Sequence, residues 1–90
     1  MISFTSDENR WANDIGRRII EVCKADTFDV NTLVKECESY ASDNSLSEPF
    51  RECMAHAAQF LKIAKKYKDV NVLNCAELAV YGTMYDNWYK

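Results

Sequence analysis

The sequence contains only two glycines and one proline among its 90 residues. A fold built from many short strands needs more of both, because glycine and proline supply the backbone conformations of tight turns. This scarcity therefore favours a mostly helical chain. A chain of this length is also too short for a dinucleotide-binding fold, a barrel or a two-domain cleft. We expect residues 1–90 to form one compact all-α domain of about four helices.

Four segments carry apolar side chains at the three- and four-residue spacing that is typical of amphipathic helices. Each is preceded by a Ser, Thr, Asp or Asn residue, whose side chain can accept a hydrogen bond from the first free N–H groups of a helix. The predicted N-terminal positions are, in chain order, Thr5 or Ser6, Asp29, Ser47, and Asp69 or Asn71. The apolar stripes are short and lack sustained heptads, so an irregular or orthogonal bundle is expected rather than a strict up-down coiled coil.

Gly16 lies beside the apolar stripe of the first predicted helix. Its missing side chain would let another helix approach closely. The alternative is that this glycine is a tolerated weak position, which costs about 1 kcal/mol relative to alanine.

The fourth predicted helix is apolar almost all round and runs towards the C-terminus. Such a helix is normally central in its fold, so this one is expected to be the core helix or to be shared with a partner. One face gathers tyrosines and a tryptophan, whose apolar bodies and polar groups suit a surface that becomes buried on binding. The candidate partner-binding residues on this face are Glu77, Tyr81, Tyr85 and Trp88. The partner would be another protein or a second copy of the chain.

The net charge of −3 is unevenly distributed along the chain. Residues 1–46 carry five basic and nine acidic groups, whereas residues 47–68 carry five basic and two acidic groups. An acidic stretch runs from Asp26 to Glu48, and it would steer the chain onto a basic protein, including one that handles nucleic acid. The candidate partner-binding residues in this stretch are Asp29, Glu36 and Asp43. The alternative is that this stretch forms a solvated surface whose carboxylates cap helices. A net charge of −3 is too small for the chain to act as a DNA mimic.

A basic face on the third predicted helix suggests nucleic-acid binding as a second hypothesis. Its candidate residues are Arg51, Lys62, Lys65 and Lys66. Three of these are lysines near the end of the helix, where cations also complement the helix dipole. The negative net charge and the lack of a helix-turn-helix signature make nucleic acid the less expected partner.

Residues that could carry catalysis or hold a metal are few. Cys53 and His56 share one helix face, but two ligands fall short of a four-ligand zinc site. We expect His56 to pair with Glu52 instead. The phosphate-binding, metalloprotease and serine-hydrolase motifs are all missing. The chain is therefore not expected to be an enzyme or to bind a cofactor or metal, and a small enzyme or metal site at Cys53 and His56 is the third hypothesis.

The four cysteines, at positions 23, 37, 53 and 75, fall on four different predicted helices. Each lies on or near an apolar face, where a free thiol behaves as a small hydrophobic group. The N-terminus does not resemble a secretory signal, and the chain has no apolar run of 18 residues. We therefore expect reduced cysteines in a cytoplasmic protein without a membrane span.

The leading hypothesis is a small cytosolic protein-binding module, an inhibitor or immunity-type protein that occludes its partner. In this interpretation the acidic residues steer association, and Tyr81, Tyr85 and Trp88 anchor the complex.

Overall fold

The computed structural model describes residues 4–83, which form four α-helices and no strand. The helices are α1 (Ser6–Ala25), α2 (Asn31–Ala41), α3 (Glu48–Tyr67) and α4 (Val70–Val80). The prediction of an all-α bundle of about four helices is therefore confirmed. Within the same range, no helix is long and apolar enough to cross a membrane.

The core of the bundle is centred on α3, which packs along both α2 and α4. The fourth helix also packs against α1, whereas α1 and α2 touch at only a few positions. Every helix contributes large buried side chains, among them Ile15, Ile19, Leu33, Phe50, Met54, Leu61, Leu73 and Val80. An aromatic cluster of Trp11, Tyr40 and Phe50 closes the end of the bundle where α1, α2 and α3 meet.

The first turns of α1 and α3 are joined by one buried carboxylate, that of Glu8. Thr5 and Glu8 form a capping box at the start of α1, in which Glu8 accepts a hydrogen bond from the Thr5 N–H at 3.0 Å. Glu8 also accepts hydrogen bonds from the Ser47 N–H at 2.8 Å and the Ser47 hydroxyl at 2.7 Å. The predicted N-caps Thr5 and Ser47 are therefore confirmed, although the Ser47 hydroxyl bonds to Glu8 rather than to its own helix.

The start of α2 differs from the prediction. Val30 is the N-cap residue, and its side chain makes no capping hydrogen bond, so the assignment of Asp29 as N-cap is wrong. The connection from α1 passes through two left-handed residues, Asp26 with a φ of 56° and Phe28 with a φ of 54°. This path buries the side chains of Phe28 and Val30 in the core and leaves Asp29 exposed.

The fourth helix starts at the predicted cap, because the Asp69 side chain accepts a hydrogen bond from the Asn71 N–H at 2.9 Å. It ends at Val80, earlier than the prediction of a helix that runs on towards the C-terminus. Gly82 adopts a φ of 76°, and the N–H groups of Gly82 and Thr83 bond back to carbonyls in the last turn. This arrangement is a Schellman motif, which ends the helix.

Candidate functional site

A groove of about 330 Å³ lies between the C-terminal half of α1 and the first turn of α2. It exists because these two helices touch at only a few positions, with the left-handed connection closing one end. Its lining residues are Arg18, Glu21, Val22, Ala25, Thr27, Asp29, Thr32 and Leu33. We call this surface the acidic groove.

The charge of the acidic groove depends on how Arg18 is paired. The Arg18 guanidinium donates to both carboxylate oxygens of Glu36 and, at 3.1 Å, to Asp14. Hydrogen bonding to Glu36 contributes most to raising the pKa of Arg18 above its usual value. Glu21 and Asp29 are exposed on the rim and form no ion pair with any residue that the structure describes. The groove therefore carries excess negative charge.

The three acidic residues predicted from the sequence occupy different surroundings. Asp29 lies on the rim of the acidic groove, and Glu36 lies beside it through the pair with Arg18. Asp43 lies beyond the other end of α2, where it accepts hydrogen bonds from the hydroxyl and the N–H of Ser45. These bonds lower the pKa of Asp43 and mark it as a turn-forming residue. The structure thus brings Asp29 and Glu36 together but places Asp43 elsewhere.

Tyr81 and Glu77 lie on the opposite flank of α1. The Tyr81 phenol covers Gly16 so closely that a Cβ at Gly16 would overlap the Tyr81 hydroxyl oxygen. The space beside Gly16 is thus filled by the ring of Tyr81, the residue that follows α4, and not by the backbone of another helix. Burial, reinforced by the Glu77 carboxylate, raises the pKa of Tyr81. Gly16 and Arg18 are about 200° apart around α1, so this helix separates Tyr81 from the acidic groove.

Two of the predicted anchors, Tyr85 and Trp88, lie outside the described residues. The half-buried Tyr81 itself packs against its own chain. An aromatic anchor for a partner therefore remains a prediction.

The basic residues of the second hypothesis make contacts within the chain. Lys62 donates to a Glu38 oxygen at 2.7 Å, and Lys65 donates to the Asn31 side-chain oxygen at 2.7 Å. The Arg51 side chain donates a hydrogen bond to the Leu46 carbonyl. The Lys66 ammonium lies 5.4 Å from the centre of the Tyr67 ring. The basic face is therefore divided between contacts to α2, to the loop before α3 and to Tyr67.

The lysines that reach α2 border a second groove, of about 310 Å³, between α2 and α3. Its lining residues are Val30, Asn31, Val34, Lys35, Glu38, Lys62 and Lys65. We call this surface the lysine groove. The two grooves lie on opposite flanks of α2.

The candidate residues for catalysis or metal binding, Cys53 and His56, both lie on α3. Cys53 is fully buried, and burial raises the pKa of its thiol to about 12, so the thiolate is scarce at neutral pH. His56 is half-buried on the same helix. Among residues 4–83, no group of three or more His, Cys, Asp and Glu side chains could hold a metal ion.

Sequence reasoning missed Glu21 as a member of the site. The acidic stretch identified in the sequence begins at Asp26 and so leaves Glu21 out. The available signal was the spacing of three acidic residues, Glu21, Asp26 and Asp29, around the end of a helix. Only the left-handed turn between the helices brings Glu21 and Asp29 to one groove.

The acidic groove is suited to a basic side chain with an apolar stem. Carboxylates and threonine hydroxyls on the rim can accept hydrogen bonds from ammonium or guanidinium groups. Val22 and Leu33 supply apolar surface for the methylene groups that lead to such a charge.

No protein-family model matches the sequence, and neither the curated proteins nor the solved structures show a significant similarity to it. A functional assignment therefore depends on the geometry and charge of the chain itself.

Proposed function

We propose that this chain is a small protein-binding module that docks on a basic surface of another protein through the acidic groove. The observation that carries the proposal is the pairing within this groove. Arg18 is neutralised by Asp14 and Glu36, while Glu21 and Asp29 keep exposed carboxylates on the rim. A lysine or arginine of the partner would complete two charge-assisted contacts that the described residues leave open.

The role that we assign to the module is that of an inhibitor or immunity-type protein. Excess negative charge accelerates association with a basic surface, and the bound module then blocks that surface sterically. Proteins that process nucleic acid carry basic substrate-binding surfaces, so they form the preferred class of partner. Tyr85 and Trp88 stay in the hypothesis as candidate anchors outside the described residues.

The first test compares variants of the tagged chain in capturing proteins from a lysate of its source organism. Glu21→Gln combined with Asp29→Asn removes both rim charges, and we expect an affinity loss of about tenfold for the captured partner. Capture should also weaken as the salt concentration rises. The matched control combines Asp7→Asn with Glu48→Gln, which removes two exposed carboxylates outside the groove. Equal capture by both double variants would show that the acidic groove is not the binding surface.

The second test addresses occlusion directly. If the module blocks a functional surface, the activity of the captured partner should fall in proportion to the module added and be abolished near equimolar amounts. The groove variant should require a clear excess, whereas the control variant should not. A partner that binds but retains full activity would contradict the inhibitor role while leaving the binding role intact.

A further inference from the structure

The lysine groove combines an apolar floor with positively charged walls. Val30 is buried and Val34 is half-buried, and both line the groove. Lys62 and Lys65 extend from α3 to α2, and their contacts with Glu38 and Asn31 hold both ammonium groups beside this floor. Lys35 adds a third ammonium group from α2.

The positive charge of this groove is only partly neutralised. Glu38 balances the charge of Lys62. The partner of Lys65 is the neutral amide of Asn31, and Lys35 forms no ion pair with another residue between positions 4 and 83. The lining residues together therefore carry an excess of two positive charges.

We propose that the lysine groove binds a small amphiphilic carboxylate, a medium-chain fatty acid, with its carboxylate between Lys35 and Lys65. Its aliphatic chain would lie over the half-buried Val34, because Val30 is only 1% exposed and already covered by the protein. An inorganic anion would leave this apolar floor uncovered, and a neutral hydrocarbon would leave the ammonium groups without a counter-charge. A volume of about 310 Å³ lies at the small end of ligand sites, which favours a short chain over a large cofactor.

This site is independent of the proposed function, because the acidic groove lies on the other flank of α2. Loss of partner binding in the acidic-groove variants would leave fatty-acid binding unchanged. The reverse also holds for variants of the lysine groove.

The test is a titration of the isotope-labelled chain with octanoate, followed by NMR. We expect saturable shifts of the backbone signals of Val30, Val34 and Lys35, with a Kd of about 1 mM or lower. Octanol, which lacks the charge, should bind about tenfold more weakly. Lys65→Gln should weaken octanoate binding about fivefold, whereas Lys24→Gln, the same charge change on α1, should have no effect. Val34→Thr should weaken octanoate binding about threefold, because it places a hydroxyl in the apolar floor.

Several outcomes would overturn the proposal. Equal affinities for octanoate and octanol would show that the lysines do not recognise the carboxylate. Equal losses in Lys65→Gln and Lys24→Gln would indicate a general charge effect. An acidic peptide that shifts the same signals when octanoate does not would identify the groove as a protein-docking surface instead.

Discussion

Glu8 shows how one buried charge can determine the meeting of two helices. Its side chain is only 2% exposed, yet its carboxylate accepts hydrogen bonds from Thr5 and Ser47, residues that begin α1 and α3. A negative charge is also favourable at both positions because helix N-termini carry partial positive charge. The capping box of Thr5 and Glu8 is readable from the sequence, but the contact with Ser47 spans 39 positions and has no local signal.

The first prediction concerns the pH dependence that Glu8 gives to stability. Burial raises the pKa of Glu8, but the hydrogen bonds from Ser47 and Thr5 outweigh it and lower the pKa below its ordinary value. The stabilisation is therefore present above the pKa of the unfolded chain and is lost as the pH falls through the folded pKa. We expect Glu8→Gln to lower the free energy of unfolding by about 1–3 kcal/mol near neutral pH. The difference from the wild type should shrink as the pH falls below about 4.

Urea unfolding followed by circular dichroism at several pH values measures both effects of Glu8→Gln. Glu48→Gln is the control, since Glu48 is an exposed carboxylate in the first turn of α3. A difference between Glu8→Gln and wild type that stays constant with pH would contradict the assigned ionisation.

At the scale of helices, local signals predicted the elements better than their ends. The caps Thr5 and Asp69 were correct because each accepts a hydrogen bond from the first turn of its own helix. Ser47 was correct as a position, although its hydroxyl bonds to Glu8 and not to α3. The prediction of Asp29 as the N-cap of α2 was wrong because burial of Phe28, a tertiary effect, sets the backbone path before that helix. The end of α4 was missed even though Gly82 was a local signal, since glycine readily adopts the left-handed conformation that terminates a helix.

The candidate site was less predictable because it depends on which helix flanks face one another. Asp29 stood out as part of an acidic run, but Glu21 joins it only because the left-handed connection places the start of α2 beside the end of α1. Likewise, the sequence predicted Lys62 as part of a basic face. The packing of α3 against α2 instead lets Lys62 donate a hydrogen bond to Glu38. One sequence without related sequences gives no information on such non-local pairings.

The second prediction concerns the contact between α1 and α4 at Gly16. The three atoms nearest a Cβ at this position all belong to Tyr81, so Gly16→Ala should displace the ring and lower the free energy of unfolding. In a Tyr81→Ala background this obstacle is absent, and the better helix propensity of alanine should raise stability by up to about 1 kcal/mol. A double-mutant cycle measured by chemical denaturation gives the coupling. The same effect of Gly16→Ala in both backgrounds would show that the two residues are not coupled.

Over the whole molecule, packing converts a charge pattern along the chain into two surfaces of opposite sign. The first half of the sequence is acidic and the segment that forms α3 is basic. Because α2 lies against α3, part of this charge cancels in the pair of Lys62 and Glu38. The remainder gives the acidic groove on one flank of α2 and the lysine groove on the other. The net charge of −3 therefore describes neither surface.

The reactivity of the four cysteines measures how readily the bundle unfolds. All four are free thiols in the structure. Cys37 and Cys53 are buried, and burial raises the pKa of each thiol to about 12, whereas Cys23 and Cys75 are half-buried. Modification requires access to the thiolate, so global unfolding should be needed to expose the first pair, while smaller fluctuations expose the second.

The third prediction is therefore a two-stage reaction with a thiol reagent such as Ellman's reagent. Cys23 and Cys75 should react in the native protein, and Cys37 and Cys53 should react only at the rate of global unfolding, which rises with urea. Cys23→Ser should remove one equivalent from the early stage, and Cys53→Ala should remove one from the late stage. Mass spectrometry of the partly modified protein assigns each step. Early modification of Cys37 or Cys53 in water would mean that the bundle opens locally around α3. In that case the packing of α3 against α2 and α4 would not account for the stability of the core.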